Sequence, residues 1–419
     1  MSFRELKNWV SSRTWVKNRV QGVCLWYLLF LMTPARKHSF QEAAKFSDLN
    51  KSQFSRALQN HLGASVYTLD QLSKKEAKRL SPLIKHLAKG ALPWKTGLLI
   101  DSTLHQRSTL HTENAKRFNH GKGFVIGHKW TNIALFINEM IIPLPPIAFH
   151  SKKYCRKNNL KYKTENESVV EYLTQLNLQD YIGDHNPDEV VVLADSGYDD
   201  KKIENAIIQK GWRFIIALKK TRSVKTEKQY CNSPISKRWS HVAALFKDHR
   251  RTPWKTVRIF TDSPKRKRMD FRIRQIIGHL RYVGKAQLIC SEFKKNTGGR
   301  IKYLACNDLK AKARQILIGY RLRWGIEIFH KEVKSYLGFQ DVAAKSFTSV
   351  KAHVHWVYCA YILLHARLPG IPDSLDSLPD RQRKIKEIVD SKEKVRMIQL
   401  LTQINGVERC KNQLRQAIQ

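Results

Sequence analysis

Hydrophobic positions in the first 90 residues recur with a helical period. The segment Val23–Met32 is almost wholly apolar and predicts a buried helix, because ten residues are too few to cross a bilayer. The segment Ser39–Leu62 contains two short amphipathic stretches that a turn near Leu49–Asn50 divides. The second stretch, Lys51–His61, carries Arg56. This pattern predicts either a helix-turn-helix, whose second helix would enter the DNA major groove, or a plain helical hairpin.

From Pro93 onward, short apolar and β-branched runs replace the helical period. The run GLLID predicts a buried strand that ends in Asp101, and EVVVLADSGYDD predicts a second strand that ends at Asp195. Between them, two β-rich stretches are joined by a turn near Asn138–Glu139. A helix over Lys201–Lys210 and the strand RFIIALKK follow. This order of strands and helices predicts an α/β fold with a mixed sheet.

The second half of the chain departs from that alternation. Residues 221 to about 300 carry three strand-like runs separated by basic loops, and they predict a β-rich insertion. A helix is then predicted from near Leu309 to Gly338, since Gly favours a helix C-terminus. The remaining residues predict further helices. The predicted domains are a helical region over 1–92, an α/β domain over 93–345 that contains the insertion, and a helical region over 346–419.

The helix that ends near Gly338 has two chemically different faces. At about 100° per residue, its polar residues Tyr320, Arg323, Glu327 and Lys334 fall within an arc of roughly 60°. An apolar stripe lies opposite and consists of Leu322, Ile326, Phe329 and Val333. One carboxylate among two cations and a phenol suits a site for metal and phosphate, but an ordinary solvated face has the same composition.

Charge indicates what kind of partner the chain binds. The sequence has 76 Lys and Arg against 35 Asp and Glu, which gives a net charge of +41. These basic residues are spread along the whole chain rather than gathered in one tail. So large an excess is unusual for a metabolic enzyme and predicts a polyanionic partner, most simply nucleic acid.

The distribution of the cysteines indicates the redox state of the compartment and bears on the kind of metal site. All seven are scattered, and no two form a CxxC pair. This distribution argues against a structural zinc site and against a disulfide framework, and it predicts a reducing compartment.

Three acidic residues are candidates for a metal site of a different kind. Asp101 and Asp195 are each predicted at the end of an apolar strand, where sheet-based sites collect ligands, and Glu327 lies on the polar helix face. Carboxylate oxygens are ligands that Mg²⁺ prefers, and a pair of such ions can activate a hydroxyl and stabilise a leaving oxygen. Either Asp taken alone is better explained as a turn-forming residue.

Taken together, the segments LLIDST, LADSGY and YRLRWGIEIFHKEVK resemble the cut-and-paste DDE transposases of bacterial insertion sequences. Tyr320, Arg323, Glu327 and Lys334 match the Tyr-Arg-Glu-Lys signature of one large group of these enzymes, and the sequence that starts at Asp195 matches the form of its second-Asp motif. The resemblance covers roughly residues 95–345. It implies a ribonuclease-H-like core, interrupted by the β-rich insertion between the second Asp and the Glu.

The resemblance also implies roles for individual residues. Asp101, Asp195 and Glu327 would be catalytic and would bind Mg²⁺, for which Mn²⁺ can substitute. Arg323 and Lys334 would contact phosphates beside the scissile bond. The residues Tyr320, Lys331, Trp239, Trp254 and Arg56 complete the expected DNA-binding set. The two insertion tryptophans are candidates to hold a flipped base, although ordinary core packing is the alternative for each.

The expected function is that of a DNA transposase. It would bind the terminal inverted repeats of an element in double-stranded DNA, cleave the ends and join their 3′-hydroxyls to target DNA. Two ends must be held together, so the resemblance implies a homodimer on DNA, with possible dimerisation through residues 346–419. It also implies a place in the bacterial cytoplasm, at the nucleoid, and no membrane partner. A metal-dependent nuclease without strand transfer and a non-catalytic DNA-binding regulator remain as alternatives.

Overall fold

A computed structural model describes residues 1–14, 19–47, 49–121, 123–232, 239–248, 253–260, 268–296, 299, 301–366, 368 and 377–391. The chain divides into two compact units. Unit 1 combines residues 1–72 with 332–419, and unit 2 comprises residues 73–331. Within the described ranges, no helix is both long enough and apolar enough to span a membrane.

Unit 2 is built on one mixed sheet of thirteen strands. The strands are β1 (Thr96–Gln106), β2 (Lys116–His120), β3 (Gly123–Ile137), β4 (Met140–Pro143), β5 (Ile147–Ala148), β6 (Val190–Ala194), β7 (Arg213–Leu218), β8 (Ser223–Thr226), β9 (Ser240–His241), β10 (Lys255–Phe260), β11 (Arg268–Leu280), β12 (Gly284–Phe293) and β13 (Lys302–Cys306).

The first part of this sheet has a ribonuclease-H-like topology. Its strands lie in the order β2-β3-β1-β6-β7. Strands β1, β2 and β3 are antiparallel, whereas β6 is parallel to β1 and β7 is parallel to β6. The α/β mixed sheet predicted from the sequence is therefore confirmed. The predicted β-hairpin turn is present too, because Asn138 and Glu139 both have positive φ between β3 and β4.

The predicted β-rich insertion extends the same sheet. It begins with β8, and the path continues from β7 through β13, β12 and β11 to β8 and β9, while β10 pairs with β11. The return strand β13 is antiparallel to β7, with Leu304 opposite Ala217. Seven of the ten residues of β12 are buried, so both faces of the strand are packed, which agrees with the mostly apolar run AQLICSEF. The insertion thus joins the core through backbone hydrogen bonds.

The helices occur in both units and between the strands. They are α1 (Phe3–Thr14), α2 (Arg19–Leu31), α3 (Phe40–Phe46), α4 (Lys51–Asn60), α5 (Leu62–Leu80), α6 (Lys152–Lys157), α7 (Glu165–Gln175), α8 (Gln179–Ile182), α9 (Lys201–Gln209), α10 (Glu227–Asn232), α11 (Val242–Asp248), α12 (Ala313–Leu322), α13 (Trp324–Tyr336) and α14 (Phe347–His365), and a last helix, α15, covers 378–391.

The single helix predicted from Leu309 to Gly338 is wrong. The structure has two helices, α12 and α13, which meet at Arg323. The backbone of Arg323 keeps helical angles, but its N–H donates to the carbonyl of Tyr320 three residues earlier. This tighter turn interrupts the regular ladder, and a pattern of polar and apolar positions does not reveal it. The predicted apolar stripe does face the core, since Ile326 and Phe329 are fully buried.

Unit 1 contains helices from both ends of the chain. The apolar helix α2 is buried, as predicted, and packs against α4 and α14. Ser39 caps α3 by accepting a hydrogen bond from the N–H of Glu42, and α3 packs against α4. The helix pair predicted over Ser39–Leu62 is therefore present. The division between units falls after Leu72 and after Lys331, at other positions than the predicted 92/93 and 345/346.

The described cysteines agree with a reduced protein. Six of them, Cys24, Cys155, Cys231, Cys290, Cys306 and Cys359, are free thiols in the part of the chain that the structure describes. The seventh, Cys410, lies outside the described residues.

Candidate active site

Two aspartates come together where β1 and β6 run side by side. The two strands are parallel, and their last paired residues are Ile100 and Ala194. Asp101 and Asp195 each follow directly, so both residues leave neighbouring strands at the same level, and the backbones of such strands are about 5 Å apart. The sequence placed both residues directly after apolar strand segments. The pairing of Ile100 with Ala194 shows that these two positions are adjacent in the sheet.

The prediction that Asp101 ends its strand is wrong. Strand β1 continues to Gln106, because β3 supplies an antiparallel partner for every further residue up to Gly127. The apolar half of β1 ends just before Asp101, and the pairing of β1 with β6 ends at the same place. Asp195 does follow the last residue of its strand, as predicted.

Glu327 reaches the same region through an arginine. The Arg323 guanidinium donates a hydrogen bond to Oε1 of Glu327, one turn along α13. The same guanidinium lies 3.7 Å from Oδ2 of Asp101, Nη1 to oxygen. Arg323 therefore links the carboxylate of the helix to the carboxylate of the central strand.

The electrostatics of Asp101 reflect this crowding. Burial raises the pKa of Asp101 to about 6, and the charges of Asp195 and Glu327 act in the same direction. The guanidinium of Arg323 and a hydrogen bond from the N–H of Ser102 oppose that shift but do not cancel it. Desolvation and like charge thus outweigh one shared cation, which is the usual signature of a functional cluster of acids.

A buried histidine, which was not predicted from the sequence, completes the surroundings of Asp101. His330 lies on α13, and its Nδ1 is 3.9 Å from Oδ2 of Asp101. Its Nε2 is 2.7 Å from Nδ2 of Asn132, the residue directly opposite Asp101 in the β1–β3 register. Because an amide N–H donates to Nε2, the neutral ring carries its proton on Nδ1, on the side of Asp101. The spacing Glu327 to His330 was the available signal, since residues three apart share a helix face.

The turn after Asp195 is held in place by hydrogen bonds. Oδ1 of Asp195 accepts from the N–H of Gly197 at 2.8 Å. The hydroxyl of Tyr198 donates to Glu165 at 3.0 Å, at the N-terminus of α7. Burial raises the pKa of Tyr198, so this phenol stays a donor. The motif Asp-Ser-Gly-Tyr is therefore fixed at both ends.

The other residues of the predicted signature occupy different positions along α12 and α13. Tyr320 lies near the end of α12, with the guanidinium of Arg323 5.8 Å from its ring centroid. Lys331 is exposed on α13, and Lys334 lies in the last turn of that helix. Trp324, at the start of α13, is 61% exposed and so does not pack into the core.

The remaining predicted DNA-binding residues lie away from the acidic cluster in sequence. Trp254 is half-buried, with the guanidinium groups of Arg272 and Arg274 within 4.8 and 4.6 Å of its ring centroid. Trp239 is also half-buried, and its partner is the Nζ of Lys225 at 4.9 Å. Arg56 is exposed on α4 of unit 1. Contact of these three residues with DNA remains a prediction.

The donor set suits a hard divalent cation. No three His, Cys, Asp or Glu side chains in the described ranges are grouped closely enough to hold a metal ion. Two aspartates on neighbouring strands and a glutamate that shares Arg323 with Asp101 nevertheless supply only oxygen ligands, which Mg²⁺ and Mn²⁺ prefer. Burial is the main cause of the raised pKa of Asp101, and a dication bound beside this carboxylate would oppose that rise.

Comparison with protein families supports this interpretation of the acidic residues at the family level. A protein-family model described as "Transposase DDE domain" matches residues 148–363, slightly more than half of the 419-residue chain. The matched region contains Asp195 and Glu327 and begins after Asp101. No curated protein matches the chain.

Proposed function

The chain belongs to the transposase DDE domain family, and on that premise we propose that it binds the ends of a DNA element, cleaves them, and joins the 3′-hydroxyls to target DNA. The observation that supports this chemistry most directly is the convergence at one sheet edge. Asp101 and Asp195 leave adjacent parallel strands at the same level, and Arg323 connects Asp101 to Glu327.

The three carboxylates are the residues that would hold Mg²⁺ or Mn²⁺. Such an ion, when bound, polarises the phosphodiester and lowers the pKa of an attacking hydroxyl. The protein's own contribution is to place the ligands. Strands β1 and β6 fix the two aspartates through their register, and α13 presents Glu327. His330 and Asn132 hold the side of Asp101 that faces the helix.

Cations beside the carboxylates would bind the DNA backbone. Arg323 is a planar donor that can turn from a carboxylate to a phosphate, because both offer pairs of oxygens. Lys334 and Lys331 follow on the same helix. A homodimer that holds two element ends together is part of the proposal, as strand transfer of both ends requires it.

The carboxylates are tested by isosteric substitution. We expect Asp101→Asn, Asp195→Asn and Glu327→Gln each to abolish strand cleavage while DNA binding is retained. The assay incubates the protein with Mg²⁺, a duplex that carries the DNA bordering its coding region, and a supercoiled plasmid. Asp184→Asn, at an exposed aspartate of the same unit, is the matched control. Wild-type cleavage rates in all three variants would refute the proposed site.

The same assay separates the alternatives. Cleaved ends without a joined product would indicate a metal-dependent nuclease. Biological activity that survives all three substitutions would indicate a DNA-binding regulator.

Phosphate contact by the signature cations is tested by salt dependence. We expect Arg323→Ala and Lys334→Ala each to flatten the plot of log affinity against log salt by about 0.9 per lost phosphate contact. Arg314→Ala, an exposed arginine on α12, is the control. A slope equal to that of the wild type would contradict phosphate contact at the substituted residue.

A further inference from the structure

A long ribbon of unit 2 projects past the edge of the sheet where the acidic residues lie. Strand β1 loses β6 as a neighbour after Ile100, yet it continues with β3 to Gln106. Strand β3 extends further and pairs with β2 as far as Gly123. From Asn132, opposite Asp101, to Gly123 the strand covers nine residues, or about 30 Å at 3.3 Å per residue.

Gly127 marks the place where this ribbon passes from one partner strand to the next. It is opposite Gln106 on β1 and opposite Lys116 on β2. A Cβ at this position would lie 2.0 Å from the carbonyl oxygen of His105, so only glycine permits so close an approach. The backbone itself therefore sets the direction of the β2–β3 hairpin.

The segment around α6 packs onto the base of that hairpin. The side-chain amide of Asn114 donates to the carbonyl of Phe149 at 2.8 Å and accepts from the N–H of Ser151 at 2.9 Å. The rings of Phe118 and Phe149 lie 5.9 Å apart, edge to face. We call the two segments, 107–129 and 147–163, the ribbon lobe, because these contacts join them into one body.

The ribbon lobe has an extreme charge. Its 40 residues contain eleven Lys and Arg but a single carboxylate, that of Glu113. On α6 and the loop after it, Lys153, Arg156, Lys157 and Lys161 are exposed. Within the described residues, none of these four side chains forms an ion pair with a carboxylate. Their charges therefore face solvent, where a polyanion can replace the bound counter-ions.

The free end of the hairpin carries an aromatic side chain. Phe124 is 57% exposed, and the guanidinium of Arg117 lies 5.0 Å from its ring centroid. An exposed ring beside a cation is suited to stack on a base or to enter a base step, with the cation on the adjacent phosphate.

We infer that the ribbon lobe is a docking surface for duplex DNA, continuous with the catalytic edge. This inference rests on the proposed function, which brings DNA to that edge. A length of about 30 Å corresponds to roughly nine base pairs at 3.4 Å each. The exposed cations of α6 contact backbone phosphates, and Phe124 contacts bases at the far end.

A pair of charge-matched triple variants tests the phosphate contacts. The first replaces Lys153, Arg156 and Lys157 with Gln. The control replaces Lys78, Lys85 and Lys89 with Gln; these residues are exposed and precede the opposite, N-terminal end of β1. The probe is a fluorescein-labelled random duplex of about 30 base pairs, long enough for several phosphate contacts. Anisotropy is measured against KCl with EDTA present.

The lobe variant should reduce the slope of log affinity against log salt by about 2.7, at 0.9 for each of three phosphates. The control should change the slope by less than about 1. Equal slopes for the two triple variants would overturn the inference. Circular dichroism of both variants checks that the surface substitutions leave the fold intact.

Phe124 is tested on the same probe. Phe124→Ala should weaken binding about 5- to 150-fold, the range for loss of one stacked base, whereas Phe124→Trp should retain it. Wild-type affinity of Phe124→Ala would remove the base contact from the inference. A photoreactive benzoylphenylalanine at position 124 should crosslink to the duplex, and the same residue at exposed position Leu83 should not.

Parallel cleavage assays keep this inference separate from the proposed function. If the wild type cleaves element ends and the lobe variant keeps the wild-type salt slope, the lobe inference fails while the transposase proposal stands. If the lobe variant shows the reduced slope of log affinity against log salt but the wild type never cleaves DNA, the docking surface stands and the proposed chemistry fails.

Discussion

Replacing Arg222 with Met should destabilise unit 2 strongly, and the loss should depend on pH. Arg222 precedes β8, and it bridges two acids that are almost completely buried. Its Nη1 lies 3.1 Å from Oδ1 of Asp199, and its Nη2 donates to Glu204. The side chains of Arg222, Asp199 and Glu204 are 12%, 1% and 0% exposed. Asp199 follows the turn after β6, so Arg222 also connects the start of the insertion to that strand.

The magnitude follows from the geometry. Two unit charges 3.1 Å apart interact by about 5 kcal/mol at an effective dielectric of 20. Removing one partner of such a buried pair leaves an uncompensated charge, which costs about 3–5 kcal/mol. Acid reduces that cost, because protonation of Asp199 and Glu204 removes the stranded charges. Burial raises the pKa of both groups, for Glu204 to about 8, and the charge of Arg222 opposes that rise without cancelling it.

Urea unfolding followed by tryptophan fluorescence measures the effect at about pH 5 and about pH 8.5, on either side of the pKa of Glu204. The matched control is Arg213→Met. Arg213 pairs with Asp188 at 2.6 Å, but these side chains are 31% and 60% exposed, so its loss should cost less than about 1 kcal/mol at either pH. An Arg222→Met loss that is equal at the two pH values would refute the electrostatic account.

Further predictions concern the protonation of Glu204, two glycines and the buried His330. Wild-type stability should fall as pH rises from about 4.5 to about 8, because folded Glu204 keeps a proton that the unfolded chain releases, and Glu204→Gln should flatten that decline in urea midpoints. Gly338→Ala should cost about 2–4 kcal/mol, since φ is +63° and its Cβ would lie 2.4 Å from Cβ of His38. Gly325→Ala should cost less than about 2 kcal/mol in the same assay, because the atoms nearest to its Cβ belong to flexible side chains, Ile141 at 2.9 Å and Leu99 at 3.6 Å. His330→Ala should lose about 1–3 kcal/mol with its buried hydrogen bond and should slow strand cleavage, whereas an unchanged cleavage rate would exclude a role in placing the acids.

The strands that carry the candidate acidic residues could be predicted from sequence because their signals are local. A run of β-branched residues that ends in Asp195 is visible within six positions, and strand β6 ends at Ala194 as expected. The turn at Asn138–Glu139 has the residue types that tolerate positive φ. The position of Asp101 within β1 was missed, since the strand continues only because β3 lies beside it, and no local pattern records a partner strand.

Contacts between residues that are far apart in the sequence could not be predicted either, because no local pattern records them. Arg222 and Glu204 are 18 positions apart, and each looks like a solvated charge until the fold buries it. His330 and Asn132 are 198 positions apart. The break at Arg323 also escaped, because the residue keeps helical angles and its neighbours keep helical periodicity. The ribbon lobe was not predicted, because basic residues are spread along the whole chain and only the fold joins its two segments.

Arg323 is the cation that the carboxylates share in this structure and, on the proposed function, a cation that binds a DNA phosphate. The chain carries a net charge of +41, yet burial still raises the pKa of Asp101 to about 6, because charges farther than about 8–10 Å are largely screened and do not help it. At close range, the guanidinium of Arg323 lies beside both Asp101 and Glu327. On the proposed function, Asp101, Asp195 and Glu327 would hold a dication, which would supply the positive charge that Arg323 supplies in this structure. The guanidinium of Arg323 would then be available to a DNA phosphate. Metal and DNA would therefore favour each other's binding, since each removes the partner that Arg323 would otherwise keep.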